Sequence, residues 1–262
     1  MSKIHRTAIV SEKAKIGENV VIAPYVYIED DVEIGDGTQI GPHSCIYNGA
    51  RIGKNVKIYQ SVSVSHVPQD LKYANERTYF YIGDNTTIHE FVTLHRGTVE
   101  TGKSEIGKNC LLMAYSHIAH DCKLGDNVIL ANSVQIGGHV TIDDFAIIGG
   151  CTPVHQFCIV GKHVMIGGAF KVVQDVPPYC LAGNTPLNFA GLNIVGLRRR
   201  GFTHNQIDLL KDVYNLIYYS GLKLDEAKQK IEELYGSEPL AKDILSFIDR
   251  SKRGLLKPQK RS

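Results

Sequence analysis

An aliphatic residue recurs at every sixth position through two thirds of the chain. From Ile4 the beat passes Val10, Ile16, Ile22, Ile28, Ile34, Ile40, Ile46, Ile52, Ile58 and Val64. It resumes at Ile82, Ile88 and Leu94, and again from Ile106 through Leu112, Ile118, Leu124, Leu130, Ile136, Ile142, Ile148, Val154, Val160 and Ile166 to Val172. Four residues after the beat stands a small or β-branched residue, as at Val20, Val26, Thr38, Ser44, Val128 and Ala146. Cys110, Cys122 and Cys158 hold the same slot, where a free cysteine acts as a small hydrophobe. Glycine often follows the beat, as in "IGEN", "IGDG" and "LGDN", and permits a bend that a Cβ would forbid. A strict period of six fits neither an amphipathic helix nor a long flat strand. It fits a parallel β-helix of hexapeptide repeats, with three short strands per coil. At the ordinary interstrand spacing, Ile4 to Pro178 makes nearly ten coils and a prism on the order of 45 Å long.

The beat fails in two places, near 65–81 and 95–105, where Pro, Gly, Asn and charged residues accumulate. These segments are expected to leave the prism as loops, and loops on a rigid solenoid are candidate binding elements. After "QDVPPY" the frame ends. The segments "NFAGLNIVGLRRRGF", "HNQIDLLKDVYNLIYYSG", "LDEAKQKIEELYG" and "EPLAKDILSFIDRSKRG" carry apolar residues at helical spacing, several with a closing glycine. The chain therefore divides into a β-helix over 1–185 and a small C-terminal helical domain over 186–262.

Composition narrows the function classes. A net charge of +2 over 262 residues gives no argument for nucleic acid. From Arg198 onward, 14 Lys and Arg stand against nine Asp and Glu, whereas the preceding part has 15 against 18. A basic C-terminal part suits an acidic partner, or simply solubility. No signal-peptide core and no apolar run of membrane-spanning length occurs, so a cytoplasmic protein without membrane insertion is expected. Six cysteines then read as reduced thiols.

Residues 18 apart should stack on neighbouring coils. His120 then aligns with Gly138 and Gln156, and Asp121 aligns with His139, which gathers "HIAHD", "GGH" and "VHQF" into one patch. Three readings remain open. Histidines on adjacent coils could hold zinc, as hexapeptide prisms resembling the γ-class carbonic anhydrases do, although His117, His120, His139 and His155 fall in four different columns. They could be purely structural. Or a histidine could act as a base beside a carboxylate, with a glycine N–H one coil away facing a developing oxyanion.

The segments "QDLKY", "HRGT", "HIAHDC", "GGHV", "FAIIGG", "VHQFC", "QDVPPY" and "GLRRRGF" appear in the order found in bacterial UDP-N-acetylglucosamine O-acyltransferases. The chain resembles that family, which opens lipid A biosynthesis, over essentially its whole length. The resemblance implies a left-handed parallel β-helix, mainly β, and a homotrimer with active sites in clefts between prisms. It implies transfer of an (R)-3-hydroxyacyl group from the phosphopantetheine of acyl carrier protein to the 3-hydroxyl of UDP-N-acetylglucosamine, with no permanently bound cofactor or metal. His120 would be the general base, Asp121 its support and the Gly138 N–H the oxyanion donor. Gln69, Asp70, Lys72, His95, His117, His139, His155 and Gln156 would hold the sugar nucleotide. Asn193, Arg199 and Arg200 would reach it from a neighbouring subunit.

Two departures from the family pattern stand out. Val195 replaces an acidic residue two positions after Asn193. Gly168 matches the position that measures acyl length, yet Phe170 fills a repeat slot usually held by a small residue. The alternatives carried forward are an N-acyl or CoA-dependent acyltransferase on the same prism, a zinc enzyme, and a non-catalytic β-helix. The N-acyltransferase would bring an additional N-terminal domain, whereas hexads here begin at Ile4.

Overall fold

The structure is a computed structural model and describes residues 2–258. Its strands are mostly two residues long and form three flat faces. The first face runs from Lys3–Ile4 through Gln39–Ile40 to Met165–Ile166, the second from Ile9–Val10 to Pro153–Val154, and the third from Lys15–Ile16 to Ile159–Val160. Pairing is parallel and in register, with Gln39 opposite Lys57 and Ile40 opposite Ile58. The faces wind as a left-handed parallel β-helix.

The hexad explains this geometry. The beat residue closes each short strand pointing inward, so Ile40, Ile58 and Ile88 stack as a buried column, while Lys57 before Ile58 is exposed. Burying one such side chain stabilises by about 1.5–3 kcal/mol. Val20, Val56 and Val128, four residues after a beat, fill the corners from inside, as do Cys110, Cys122 and Cys158. All six cysteines are free. Burial pushes the Cys122 thiol up to about 12 and the Cys110 thiol up to about 11, so neither is a reactive thiolate. Gly35 shows why glycine follows a beat: a Cβ there would lie 2.6 Å from the Gly53 carbonyl carbon on the next coil.

The two excursions occupy 67–78 and 96–102, because Ser63–His66, Tyr79–Ile82 and Lys103–Ile106 extend the ladders into their ends. Each adds whole hexads to the register. Lys57 pairs with Thr87 across the first and Thr87 with Leu111 across the second. Both leave at the edge joining the second face to the third.

One expectation fails beyond the prism. The segment 188–202 is not a single helix. Asn188–Leu192 is a strand, antiparallel to Cys180–Gly183, and this hairpin spans the 185/186 boundary. Gly191, at φ +112°, takes a backbone conformation no helix allows, and pairing with the preceding strand overrides the helical spacing. Helix α1 is only Ile194–Arg199, followed by α2 (His204–Tyr218), α3 (Leu224–Tyr235) and α4 (Pro239–Arg250). A capping box between Thr203 and Gln206 starts α2, and proline at the first turn starts α4. No helix among the described residues is long and apolar enough to cross a membrane.

Asp175 and His163 are among the polar residues that join this unit to the last coils. Asp175 is fully buried. Its carboxylate accepts from Ile159 N at 2.8 Å, Ser251 Oγ at 2.7 Å, Lys252 N at 3.0 Å and Arg253 N at 2.9 Å. Replacing it with alanine strands these donors and is expected to cost at least about 3 kcal/mol. Denaturant unfolding checks this; an unchanged midpoint would show that the segment after α4 is held otherwise.

His163 is stacked between Phe145 and Tyr179, with Phe202 roughly perpendicular to it. Burial, aided by Arg200 and Lys162, lowers it from 6.5 to about 4. Between those values the unfolded chain binds a proton that the folded chain refuses, so stability falls as pH drops through that window. His163→Phe keeps the stack and is expected to flatten the fall in Tm between pH 6.5 and 4. Parallel Tm profiles would contradict this.

Candidate active site

Five successive coils build one edge between the second and third faces. In order they contribute the loops 67–78 and 96–102, then the corners at His120–Asp121, Gly138–His139 and Gln156–Phe157. The stacking follows the 18-residue register: His139 N donates to His120 O at 3.0 Å, and Phe157 N to Gly138 O at 3.1 Å. A groove of about 620 Å³ runs along the edge, lined on the loop side by Gln69, Asp70 and Lys72 and on the coil side by His120, His139 and Gln156.

Asp121, His139 and Phe157 have φ of +59°, +60° and +65°. Tyr25, His43 and Phe145 share that conformation at their corners, so it belongs to the coil and is no mark of catalysis.

The centre of the groove is a hydrogen-bonded pair. His120 Nδ1 lies 2.7 Å from Asp121 Oδ2. An ionised carboxylate only accepts, so Nδ1 carries the proton and Nε2 keeps a free lone pair. Asp121 is buried, with its carboxylate held from the 96–102 loop. Thr98 N donates to Oδ1 at 2.9 Å, Thr98 Oγ1 to Oδ2 at 2.9 Å, and the Thr101 hydroxyl to Oδ1. Burial alone would raise the Asp121 carboxyl. Bonds from Thr101, His120 and Thr98 outweigh it and hold the group below the usual carboxylate range.

Gly138 leaves room for the His120 ring. A Cβ there would sit 2.8 Å from both Cε1 and Nε2 of His120. Its amide is also free. At the edge between the third and first faces, the same corner amide is taken by an aspartate one coil on. Asp36 accepts from Glu18 N at 2.9 Å and Asp126 from Lys108 N at 2.7 Å. Above Gly138 stands Gln156, and the Gly138 N–H has no acceptor among the described residues.

The surrounding histidines differ in state. His139 stacks on Phe157 and meets His120 edge-on, with Nε2 at 3.7 Å from Asp121 and 3.6 Å from Glu100. His95 is buried, bonded to Val67 O at 2.6 Å, and lowered to about 4 by burial and then by His117. Burial, then His120, lowers His117, whose Nδ1 lies 2.8 Å from Thr93 Oγ1. His155 turns Nδ1 onto Gln156 O at 3.0 Å, and neither it, His95 nor His117 lines the groove.

Ligand atoms of His120, Asp121 and His139 lie within 4.8 Å of one another, the one cluster of that kind among the described residues. Both Asp121 oxygens already accept two donors, so the carboxylate is held by hydrogen bonds within the protein.

The remaining sequence candidates stand on other edges. Asn193 caps α1, with Oδ1 accepting from Gly196 N at 3.1 Å and Nδ2 donating to His163 O at 3.0 Å. Arg200 donates to Phe145 O at 3.2 Å and packs over that ring. These two adjoin the edge between the third and first faces, and Arg199 is exposed beside them. Gly168 lies exposed on the edge between the first and second faces, and the Phe170 ring is folded over Gly167. Val195 is exposed.

Sequence reasoning missed Thr98, Thr101 and Arg96. Arg96 pins the 67–78 loop, donating to Tyr73 Oη at 2.9 Å, Asn48 O at 2.9 Å and Ser65 O at 3.1 Å. The arginine of "HRGT" was the available signal. The threonines sit on a loop outside the hexad count, so no register assigns them to Asp121.

Comparison with known proteins agrees with this architecture. A family model described as UDP N-acetylglucosamine O-acyltransferase, domain 2, matches residues 175–256. Bacterial transferase hexapeptide models of six repeats match 13–48, 31–66 and 103–138. LpxA from Acinetobacter baumannii is 43% identical, over 97% of this chain and 99% of that one, with a TM-score of 0.94. The UDP-N-acetylglucosamine acyltransferase of Francisella novicida is 39% identical over 98% and 95%, with a TM-score of 0.96. LpxA from Bacteroides fragilis is 42% identical over 97% and 100%, with a TM-score of 0.94. With such identity along nearly the full length of each chain, this protein belongs to the UDP-N-acetylglucosamine O-acyltransferase family.

Proposed function

We propose that the protein transfers an (R)-3-hydroxyacyl group from acyl carrier protein to the 3-hydroxyl of UDP-N-acetylglucosamine, the first step of lipid A biosynthesis, in the cytoplasm. The observation that carries this reading is the His120–Asp121 pair, which leaves Nε2 unbonded in a groove beside the free Gly138 amide.

In the proposed reaction, His120 Nε2 takes the proton of the sugar 3-hydroxyl as that oxygen attacks the thioester carbonyl. The Gly138 N–H faces the oxygen that becomes negative, where a preorganised donor stabilises the transition state. The C–S bond breaks as the ester forms, the phosphopantetheine thiol leaves with a proton, and His120 returns to its neutral form. No acyl-enzyme is needed. That suits a site whose nearest thiol, Cys122, is buried in the core.

A homotrimer completes this site. In one chain the base, the Asn193–Arg200 group and the Gly168–Phe170 group occupy three different edges of the prism. Threefold packing of prisms is the arrangement that sets unlike edges against each other. Asp70, Lys72 and Gln69 on the loop would then hold the sugar nucleotide from one side, with His139, His155 and Gln156 nearby. Arg199 and Arg200 of a neighbour suit its diphosphate. Gly168 and Phe170 would bound the acyl tail.

The test is acyl transfer from 3-hydroxyacyl carrier protein to UDP-N-acetylglucosamine. Alanine at His120 is expected to lower kcat by about 10²- to 10⁴-fold, with Tm unchanged. Full activity in that variant would remove the base. Acceptance only of acetyl-CoA, or only of an acyl-glucosamine, would overturn the substrates.

A further inference from the structure

We propose that Thr101 is a positioning residue for acyl transfer: from the 96–102 loop, its hydroxyl holds the Asp121 carboxylate in the state that keeps His120 a free base. This rests on the reading of His120 as general base. The geometry is a carboxylate shared between two jobs. Oδ1 is spent on the loop, taking the Thr98 N–H at 2.9 Å and the Thr101 hydroxyl. Oδ2 takes Thr98 Oγ1 at 2.9 Å and His120 Nδ1 at 2.7 Å.

Thr101 has one proton and two acceptors in reach, Asp121 Oδ1 and Lys103 O at 2.7 Å. The ionised carboxylate is the stronger acceptor and takes it. Each donor on a carboxylate disperses its charge and weakens its pull on any other proton. Thr101 therefore competes with His120 Nδ1–H for Asp121. Among the bonds that hold Asp121 below the usual carboxylate range, the one from Thr101 is the largest contributor.

The charged and titratable groups around the pair come from each element packed on it. His117 lies on the preceding strand, with His95 one coil below. His139 faces Asp121 from the next coil, and Glu100 meets His139 from the loop. Asp70, Lys72 and Glu76 face the groove from the 67–78 loop. Replacing Thr101 changes none of these charges. It is exposed, so its substitution leaves the core untouched.

The experiment is the pH profile of kcat/KM for Thr101→Val and Thr101→Ser, with Tm measured alongside. Without its hydroxyl donor, Asp121 holds the His120 proton more tightly. The acid limb of Thr101→Val is then expected about half a unit higher in pH, with Thr101→Ser returned to the native position. A uniform loss of activity with the limb unmoved would make Thr101 a structural contact only and overturn the proposal. Full activity of His120→Ala would instead overturn the reading on which it rests.

Discussion

In-register stacking of 18-residue coils is the constraint on which everything else depends. Each coil must offer an inward aliphatic at the end of each strand and turn three corners. Many corners use a positive φ on a residue other than glycine, at a cost of about 1–3 kcal/mol each. Buried columns such as Ile40, Ile58 and Ile88 return about 1.5–3 kcal/mol per side chain and offset that cost. The corners are consequently rigid, and a side chain placed on one keeps a fixed relation to its neighbours on the coils above and below.

The proposed site uses that rigidity. A base, its carboxylate partner and a free amide need sub-ångström placement, and stacked corners supply it without a deep pocket. His120 rests against Gly138 because the register brings them together and because glycine alone leaves space for the ring. The two loops interrupt the repeat at this edge, and both are tied back. Arg96 secures the first through Tyr73, and Asp121 secures the second through Thr98 and Thr101. The same carboxylate thus ties the second loop to His120.

Much of this was legible from the hexad. Period, coil length, the core role of Cys110, Cys122 and Cys158, and the stacking of His120 on Gly138 all follow from counting. Even the shared edge of the loops was countable, since Val64 and Leu94 precede them in the phase that Ile118 and Ile136 hold. Counting stops where the chain leaves the frame. Thr98 and Thr101 reach Asp121 through loop geometry that no period encodes. Asn188–Leu192 pairs as a strand because of a tertiary neighbour, against its helical spacing. The spread of the candidates over three edges needs the folded prism to be seen at all.

A crystal structure with UDP-N-acetylglucosamine bound would test the role of this edge most directly. The sugar 3-hydroxyl is expected within about 2.6–3.2 Å of His120 Nε2, in the groove beside Gly138, with the diphosphate against Arg199 and Arg200 of a neighbouring prism. A sugar ring seated on another edge, or a 3-hydroxyl directed away from His120, would contradict it.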